Sequence, residues 1–276
     1  MIPFGTRLRT AMDTRGPLCV GIDPHTSLLK DWGLDDDIAG LERFTRTAVE
    51  ALADRVAVLK PQSAFFERFG SRGIAVLEKA VEEARAAGAL VLMDAKRGDI
   101  GSTMGAYAQT FLTPGSPLFS DALTVSPYLG FGSLRPALDA AAASGAGVFV
   151  LALTSNPEGA EVQRATTADG RSLAQSMLDR MAGENAEARP LGSVGAVVGA
   201  TLADAGVDLA INGPLLAPGI GAQGATPADL PRVFGDAVGN VLPSVSRGVL
   251  RYGPDIAGLR SAAERYVDET RVAIGA

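Results

Sequence analysis

The chain has 276 residues, long for an ordinary domain and of normal size for a single α/β barrel. Its 25 Lys and Arg against 31 Asp and Glu leave a formal charge of -6, which speaks against non-specific nucleic-acid binding and makes any anion site a local patch. One cysteine and one histidine exclude a disulfide framework, a Cys/His zinc site and most histidine-based triads. The opening "MIPFGTRLRTAMDTRG" lacks the apolar core of a signal peptide, and no run approaches the ~18 apolar residues of a membrane span. A soluble cytoplasmic protein without a membrane partner is expected.

Short apolar runs alternate with longer, Ala-rich stretches almost from end to end. In chain order the runs are "PLCVGID" (17–23), "VAVLKPQ" (56–62), "LVLMDAK" (90–96), "ALTVSP" (122–127), "GVFVLALTS" (147–155), "SVGAVVGAT" (193–201), "LLAPGIG" (215–221) and "NVLPSVSRGVL" (240–250). Continuous runs of this kind suit parallel strands buried on both faces. The segments between them carry helical spacing, as at Leu41, Phe44, Ala48 and Leu52. Eight βα units without a break in composition predict one domain over 1–276, closed into a (β/α)8 TIM barrel; an open doubly wound sheet is the alternative. The longest connection, 156–192, begins polar and glycine-containing and predicts a loop over the site before a helix starts near Ser172. Cys19 reads as a small buried apolar residue.

A polar residue of interest falls at the C-terminal end of most of these strands: Asp23, Lys60, Asp94 with Lys96, Ser155, Gln223 just past the seventh, and Arg247. Barrel enzymes gather their active-site groups at that end. Strand alternation predicts that Asp94 and Lys96 project to one side while Ala95 faces the helix layer. Asp99 lies beyond the strand end. Taken alone, "DAKRGD" reads as well as a structural ion pair followed by a helix cap. Joined by Asp23 and Lys60 it asks for a functional reason, because buried ionised groups are costly unless paired.

The spacing Asp-x-Lys-x-x-Asp after strand three stands with "GIDP" at strand one, "LKPQSAFFE" at strand two, "PGIGAQG" at strand seven and "SRG" at strand eight. This ordered set, spanning essentially the whole chain, resembles the orotidine 5'-phosphate decarboxylase family, and "MDAKRGDI" with "FFE" resembles its longer-chain subfamily. The resemblance implies decarboxylation of orotidine 5'-phosphate to uridine 5'-phosphate, the last step of de novo pyrimidine synthesis, without metal or organic cofactor. It implies that Lys96 protonates C6 of the pyrimidine, that Asp94 lies beside the departing carboxylate, and that Lys60 links it to the ribose side. Asp99 would be supplied across a homodimer interface to the other subunit's site, and Thr103 would contact the partner's ligand. Asp23 matches a residue near the ribose hydroxyls, and Ser155 one that hydrogen-bonds the pyrimidine. Gln223 and Arg247 would grip the phosphate, with backbone amides around Gly221 and Gly248. Losing carbon dioxide from C6 leaves an in-plane carbanion that the π system cannot delocalise, so a fixed cation is the natural stabiliser. Lys96 between two aspartates would be held protonated.

Two rivals share parts of this pattern. Metal-dependent sugar-phosphate decarboxylases and hexulose-phosphate synthases carry the same Asp-x-Lys-x-x-Asp element, but their metal wants oxygen ligands where this chain has Lys60. A binding-only barrel would not need the complete charged set. Other signals are weaker. The G-x-G-x-x-G letters of Gly219 to Gly224 follow the seventh strand rather than opening an early βαβ unit, so they do not read as a dinucleotide fingerprint. Arg97-Gly98-Asp99 spells an adhesion tripeptide by coincidence, with Arg97 expected to face outward. Trp32, Phe65 and Phe66 read as packing residues and His25 as a loop residue near the rim. Tyr107 fits either a subunit interface or the helix layer.

Overall fold

A computed structural model describes residues 1–275. Eight strands close in sequence order into one all-parallel barrel, so the open-sheet alternative is excluded. They are β1 (Cys19–Ile22), β2 (Val58–Pro61), β3 (Leu90–Arg97), β4 (Ala122–Val125), β5 (Gly147–Leu153), β6 (Val194–Val198), β7 (Leu215–Pro218) and β8 (Val241–Val245). All eight apolar runs contain a strand. Most strands stop short of their run, and the end of the last run is not strand at all: Arg247–Leu250 forms a helical turn.

Burial follows strand parity. Cys19, Val58, Leu90, Leu92, Ala122, Phe149, Leu216 and Leu242 fill the barrel interior, while Val20, Leu59, Val91, Met93, Leu123, Val148, Ala196 and Val241 pack outward under the helices. Continuing the inward parity towards the C-terminal rim turns it polar: Lys60 after Val58, Asp94 after Leu92, Thr124 after Ala122, Ser244 after Leu242. The apolar base therefore excludes water from below the charged rim. Cys19 is fully buried there, and burial pushes its thiol up to about 12, which leaves it an inert core group.

The helix Phe4–Arg15 closes the bottom of the barrel, a feature the sequence reading does not anticipate. Phe4, Leu8 and Met12, one turn apart, enter the interior cluster, and Phe4 meets Phe149 edge-on with ring centroids 5.9 Å apart. Gly147 is required at the foot of β5, because a Cβ there would lie 2.3 Å from the Phe4 ring. The expected helix after the 156–172 segment is Leu173–Asn185, with Ser172 capping it through a bond accepted from the Gln175 amide at 3.1 Å. One expected element is missing: 199–214, between β6 and β7, contains no helix. Its sequence explains this, since "GATLADAGVDLAINGP" spaces Gly, Asp, Asn and Pro too closely for a helical turn to continue. Among the described residues, no helix is long and apolar enough to cross a membrane.

Candidate active site

Asp94 is the centre of the charged rim. It is buried, and its two carboxylate oxygens are divided between two cations: Oδ2 accepts from Lys60 Nζ at 2.7 Å and Oδ1 from Lys96 Nζ at 2.6 Å. The result is a row Lys60–Asp94–Lys96 whose first two members are each 8% exposed at the side chain, while Lys96 is 45% exposed and faces the opening. Burial pushes the Asp94 carboxyl up, but the opposing charges of Lys60 and Lys96 outweigh it and hold the group well below the usual carboxylate range. Burial likewise pulls Lys60 down, and Asp94 followed by Asp23 overcomes this, so Lys60 is held above the ordinary lysine value.

Lys96 reaches Asp94 by a route that simple alternation does not describe. The ladder runs from Met93 opposite Leu123 to Arg97 opposite Val125, so β3 carries two extra residues, and Lys96 adopts φ 47 in the left-handed region. A non-glycine residue there stores strain that the surroundings must hold in place. Thr124 does this: its Oγ1 accepts from the Lys96 amide at 3.0 Å and donates to Asp94 Oδ1 at 2.9 Å. The Asp94 carbonyl is anchored to the segment just after β2 by Ser63 N and Gln62 Nε2, each at 3.2 Å.

Beside this row lies a cavity of about 250 Å³ whose walls include Asp23, Lys60, Asp94, Lys96, Gln223 and Arg247. Two oxygens in its neighbourhood, Asp23 Oδ1 and Ser246 Oγ, are buried without a hydrogen-bond partner among the described residues. Buried polar atoms normally find partners, so these two point to a polar ligand. Gly21 leaves them room: a Cβ there would sit 3.0 Å from both Asp23 Oδ2 and Ser246 Cβ.

A closed barrel with an ammonium–carboxylate–ammonium row at its C-terminal rim is the setting in which the comparisons with known proteins fall. The sequence model of the orotidine 5'-phosphate decarboxylase / HUMPS family matches residues 16–262. The chain belongs to this family. An orotidine 5'-phosphate decarboxylase of Streptomyces coelicolor is 74% identical, covering 100% of both chains, and one of Salinispora arenicola is 65% identical, covering 99% of both. A crystal structure from Streptomyces avermitilis superposes with a TM-score of 0.98 at 73% identity, covering 100% of this chain and 97% of the other. The Leishmania donovani OMP decarboxylase structure gives 0.77 at 31% identity, covering 100% of both.

Against that family background, the remaining residues fall into two groups. Gln223 and Arg247 stand at the cavity, and among the described residues Arg247 has no carboxylate partner. Gly248 lies in the opening turn of Arg247–Leu250, where amides lack intrahelical acceptors. The Gly221 amide is engaged within its own turn, donating to Ala225 O at 2.7 Å, so that loop offers the amides of Ala222 and Gln223 instead. Asp99 is not brought to Lys96: its Oδ1 accepts from the Ile100 amide at 2.7 Å, where the helix Gly101–Leu112 begins. Thr103 is exposed on that helix, and Ser155 is exposed beyond β5 beside Gly199. Neither forms part of the cavity wall.

Arg97 faces out of the barrel as expected, but into the helix layer rather than solvent. It pairs with Glu67 and lies 5.5 Å from the Tyr107 ring centroid and 5.8 Å from that of Phe111. Tyr107 is thereby part of the helix layer. Trp32 packs against Phe44 and donates from Nε1 to Leu250 O at 2.8 Å. His25 does more than the sequence suggests, since it lines the cavity with its ring edge-on to Phe65 at 4.2 Å. Sequence reasoning does not single out Thr124, Ser246 or Gln62. Strand parity is the signal that finds Thr124, and the "SRG" motif contains Ser246.

Proposed function

We propose that this chain converts orotidine 5'-phosphate to uridine 5'-phosphate and carbon dioxide, the decarboxylation that completes UMP synthesis, and that residues 1–276 act as one catalytic domain. The observation that carries this reading is the Lys60–Asp94–Lys96 row: a buried carboxylate shared by two ammonium groups, only one of which faces the cavity mouth. When the C6–CO2 bond breaks, its electron pair stays on C6 in the ring plane. Lys96 Nζ is the cation that stabilises this pair and the acid that protonates it. Such stabilisation is effective because the dipoles are fixed before reaction and face a site closed from below. Asp94 sits beside the leaving carboxylate, and Lys60 keeps it ionised.

The other end of the cavity supports the substrate assignment. Arg247, unpaired among the described residues, and Gln223 suit a phosphate, while the unpartnered oxygens of Asp23 and Ser246 suit ribose hydroxyls. Phosphate binding remote from C6 then holds the ring in place for the chemical step. A divalent cation in place of this scheme is disfavoured by the donor set, because the buried carboxylate is already taken by two ammoniums.

The site is completed in a homodimer. Among the described residues Asp99 makes no ion pair with its own Lys96, and Ile100, Tyr128 and Leu129 in the loops after β3 and β4 are 63%, 76% and 52% exposed, which suits a surface covered by a second copy. Asp99 and Thr103 would be supplied to the partner's cavity from that surface, and Ser155 would meet the pyrimidine after movement of its loop. The test is to incubate the purified chain with orotidine 5'-phosphate in EDTA and follow the substrate band. Stoichiometric UMP and carbon dioxide are expected; turnover of a sugar phosphate only when magnesium is added would replace this reading with the metal-dependent one.

A further inference from the structure

Next in the chain to the cavity-lining residues Ala222 and Arg247, two glycine segments meet one side chain from the C-terminal helix Ile256–Ile274. Gly221 follows β7 and Gly248 follows β8, and a Cβ built on Gly221 would lie 3.7 Å from the Gly248 Cα. The Tyr266 hydroxyl rests against both. A Cβ on Gly221 would stand 2.8 Å from Tyr266 Oη, and one on Gly248 only 2.5 Å from it. Gly221 has φ +82, which favours glycine on its own account. Gly248 has no such torsion. At that position the demand for glycine comes from Tyr266 and from Val245, whose Cγ2 would be 2.8 Å away.

The phenol oxygen therefore lies against both loops, the one that carries Gln223 and the one that carries Arg247. Among the described residues its oxygen has no hydrogen-bond partner, while the residue's backbone carbonyl accepts from Thr270 Oγ1 at 2.7 Å. The half-buried ring thus sets its hydroxyl against two glycine backbones that belong to different loops.

We propose that Tyr266 is a positioning residue for phosphate recognition: its hydroxyl sets the distance between the β7 and β8 loops at which Gln223, Arg247 and the Gly248 amide converge on one phosphate. This rests on the reading of the cavity as a phosphate-ester site. Tyr266 acts through these groups, so its effect falls on ligands that carry a phosphate and spares those that do not.

The test compares wild type with Tyr266→Phe by calorimetric titration of UMP, uridine and inorganic phosphate, together with kcat/KM for orotidine 5'-phosphate. Affinity for UMP and for phosphate is expected to fall about tenfold, as when groups converging on one phosphate lose their common geometry, with kcat/KM falling in parallel and uridine affinity unchanged. Tyr252→Phe is the control, since that exposed hydroxyl accepts from Arg251 at 3.1 Å and Arg265 at 3.4 Å, away from both glycines. A second route is Gly248→Ala, expected to lose the same ligands and to regain part of that affinity when combined with Tyr266→Phe. Unchanged phosphate affinity in folded Tyr266→Phe, equal loss of uridine binding, or no recovery in the double variant overturns the proposal. Wild type that neither turns over the substrate nor binds UMP would instead overturn the reading of the site itself.

Discussion

Replacing Asp94 by Asn keeps the shape of the side chain and removes the one charge that two lysines share. At 2.7 Å and an effective dielectric of about 20, the Lys60–Asp94 attraction is about 6 kcal/mol gross. Desolvation offsets much of this in the wild type. In the variant the attraction is lost while Lys60 stays buried, and breaking such a pair from one side costs about 3–5 kcal/mol. The Lys96 contact adds little, because that side chain is 45% exposed and screened. For a chain of this size about 2–4 °C accompanies each kcal/mol, so the melting temperature at pH 7 should fall by about 6–20 °C. Lys60, held high mainly by Asp94 against burial, should then lose its proton far more readily, and the variant should regain stability as pH rises. The assay is thermal and urea unfolding across pH 6–10, with Asp169→Asn as an exposed ion-pair control whose melt should not move. An Asp94→Asn protein that melts within about 2 °C of wild type at pH 7 would refute the view that this carboxylate holds a buried ammonium in place.

Other consequences are equally concrete. Thr124→Val removes the hydroxyl that bridges Asp94 and the Lys96 amide and should cost about 1–3 kcal/mol while lowering kcat, as read by urea unfolding and steady-state assay. Because Asp94 is depressed in the folded state, its contribution is full above the ordinary carboxylate value of about 3.9 and is lost as pH falls towards the folded value; the gap in melting temperature between wild type and Asp94→Asn should therefore narrow below about pH 4. Arg247→Ala should weaken UMP by about 10–100-fold and leave uridine unaffected, measured by calorimetry. Mixed Lys96→Ala and Asp99→Ala proteins, each nearly inactive alone, should recover activity after subunit exchange, since one site of each heterodimer then carries neither change; proven exchange without recovery would exclude a shared site.

The strands and the polar rim were legible in the sequence because both follow from local pattern. Buried parallel strands read as apolar runs, and two-residue alternation carries Lys60, Asp94, Thr124 and Ser244 to the same inward face as the apolar base. Less was legible where tertiary contacts decide. The two-residue bulge of β3 and the left-handed Lys96 depend on Thr124, thirty positions beyond Asp94 in the chain and an ordinary strand residue by type. The helix Phe4–Arg15 did leave a signal in the spacing of Phe4, Leu8 and Met12, but its role as a plug needs the barrel to exist first. Tyr266 gave no signal, because a tyrosine in an amphipathic helix reads as packing until the two glycines are seen beneath it. Asp99 illustrates the opposite case: the motif names it, yet one chain does not bring it to the lysine row.

Assignment of the chemistry to Lys96, fixed by Asp94 and Thr124, is decided by comparing UMP formation by wild type and Lys96→Ala alongside UMP affinity of each. We predict turnover by wild type and loss of kcat by at least about a thousandfold in the variant, with UMP bound within about tenfold of wild type because the phosphate and ribose contacts remain. A folded Lys96→Ala protein that forms UMP within about tenfold of the wild-type rate would mean that this lysine is not the proton donor.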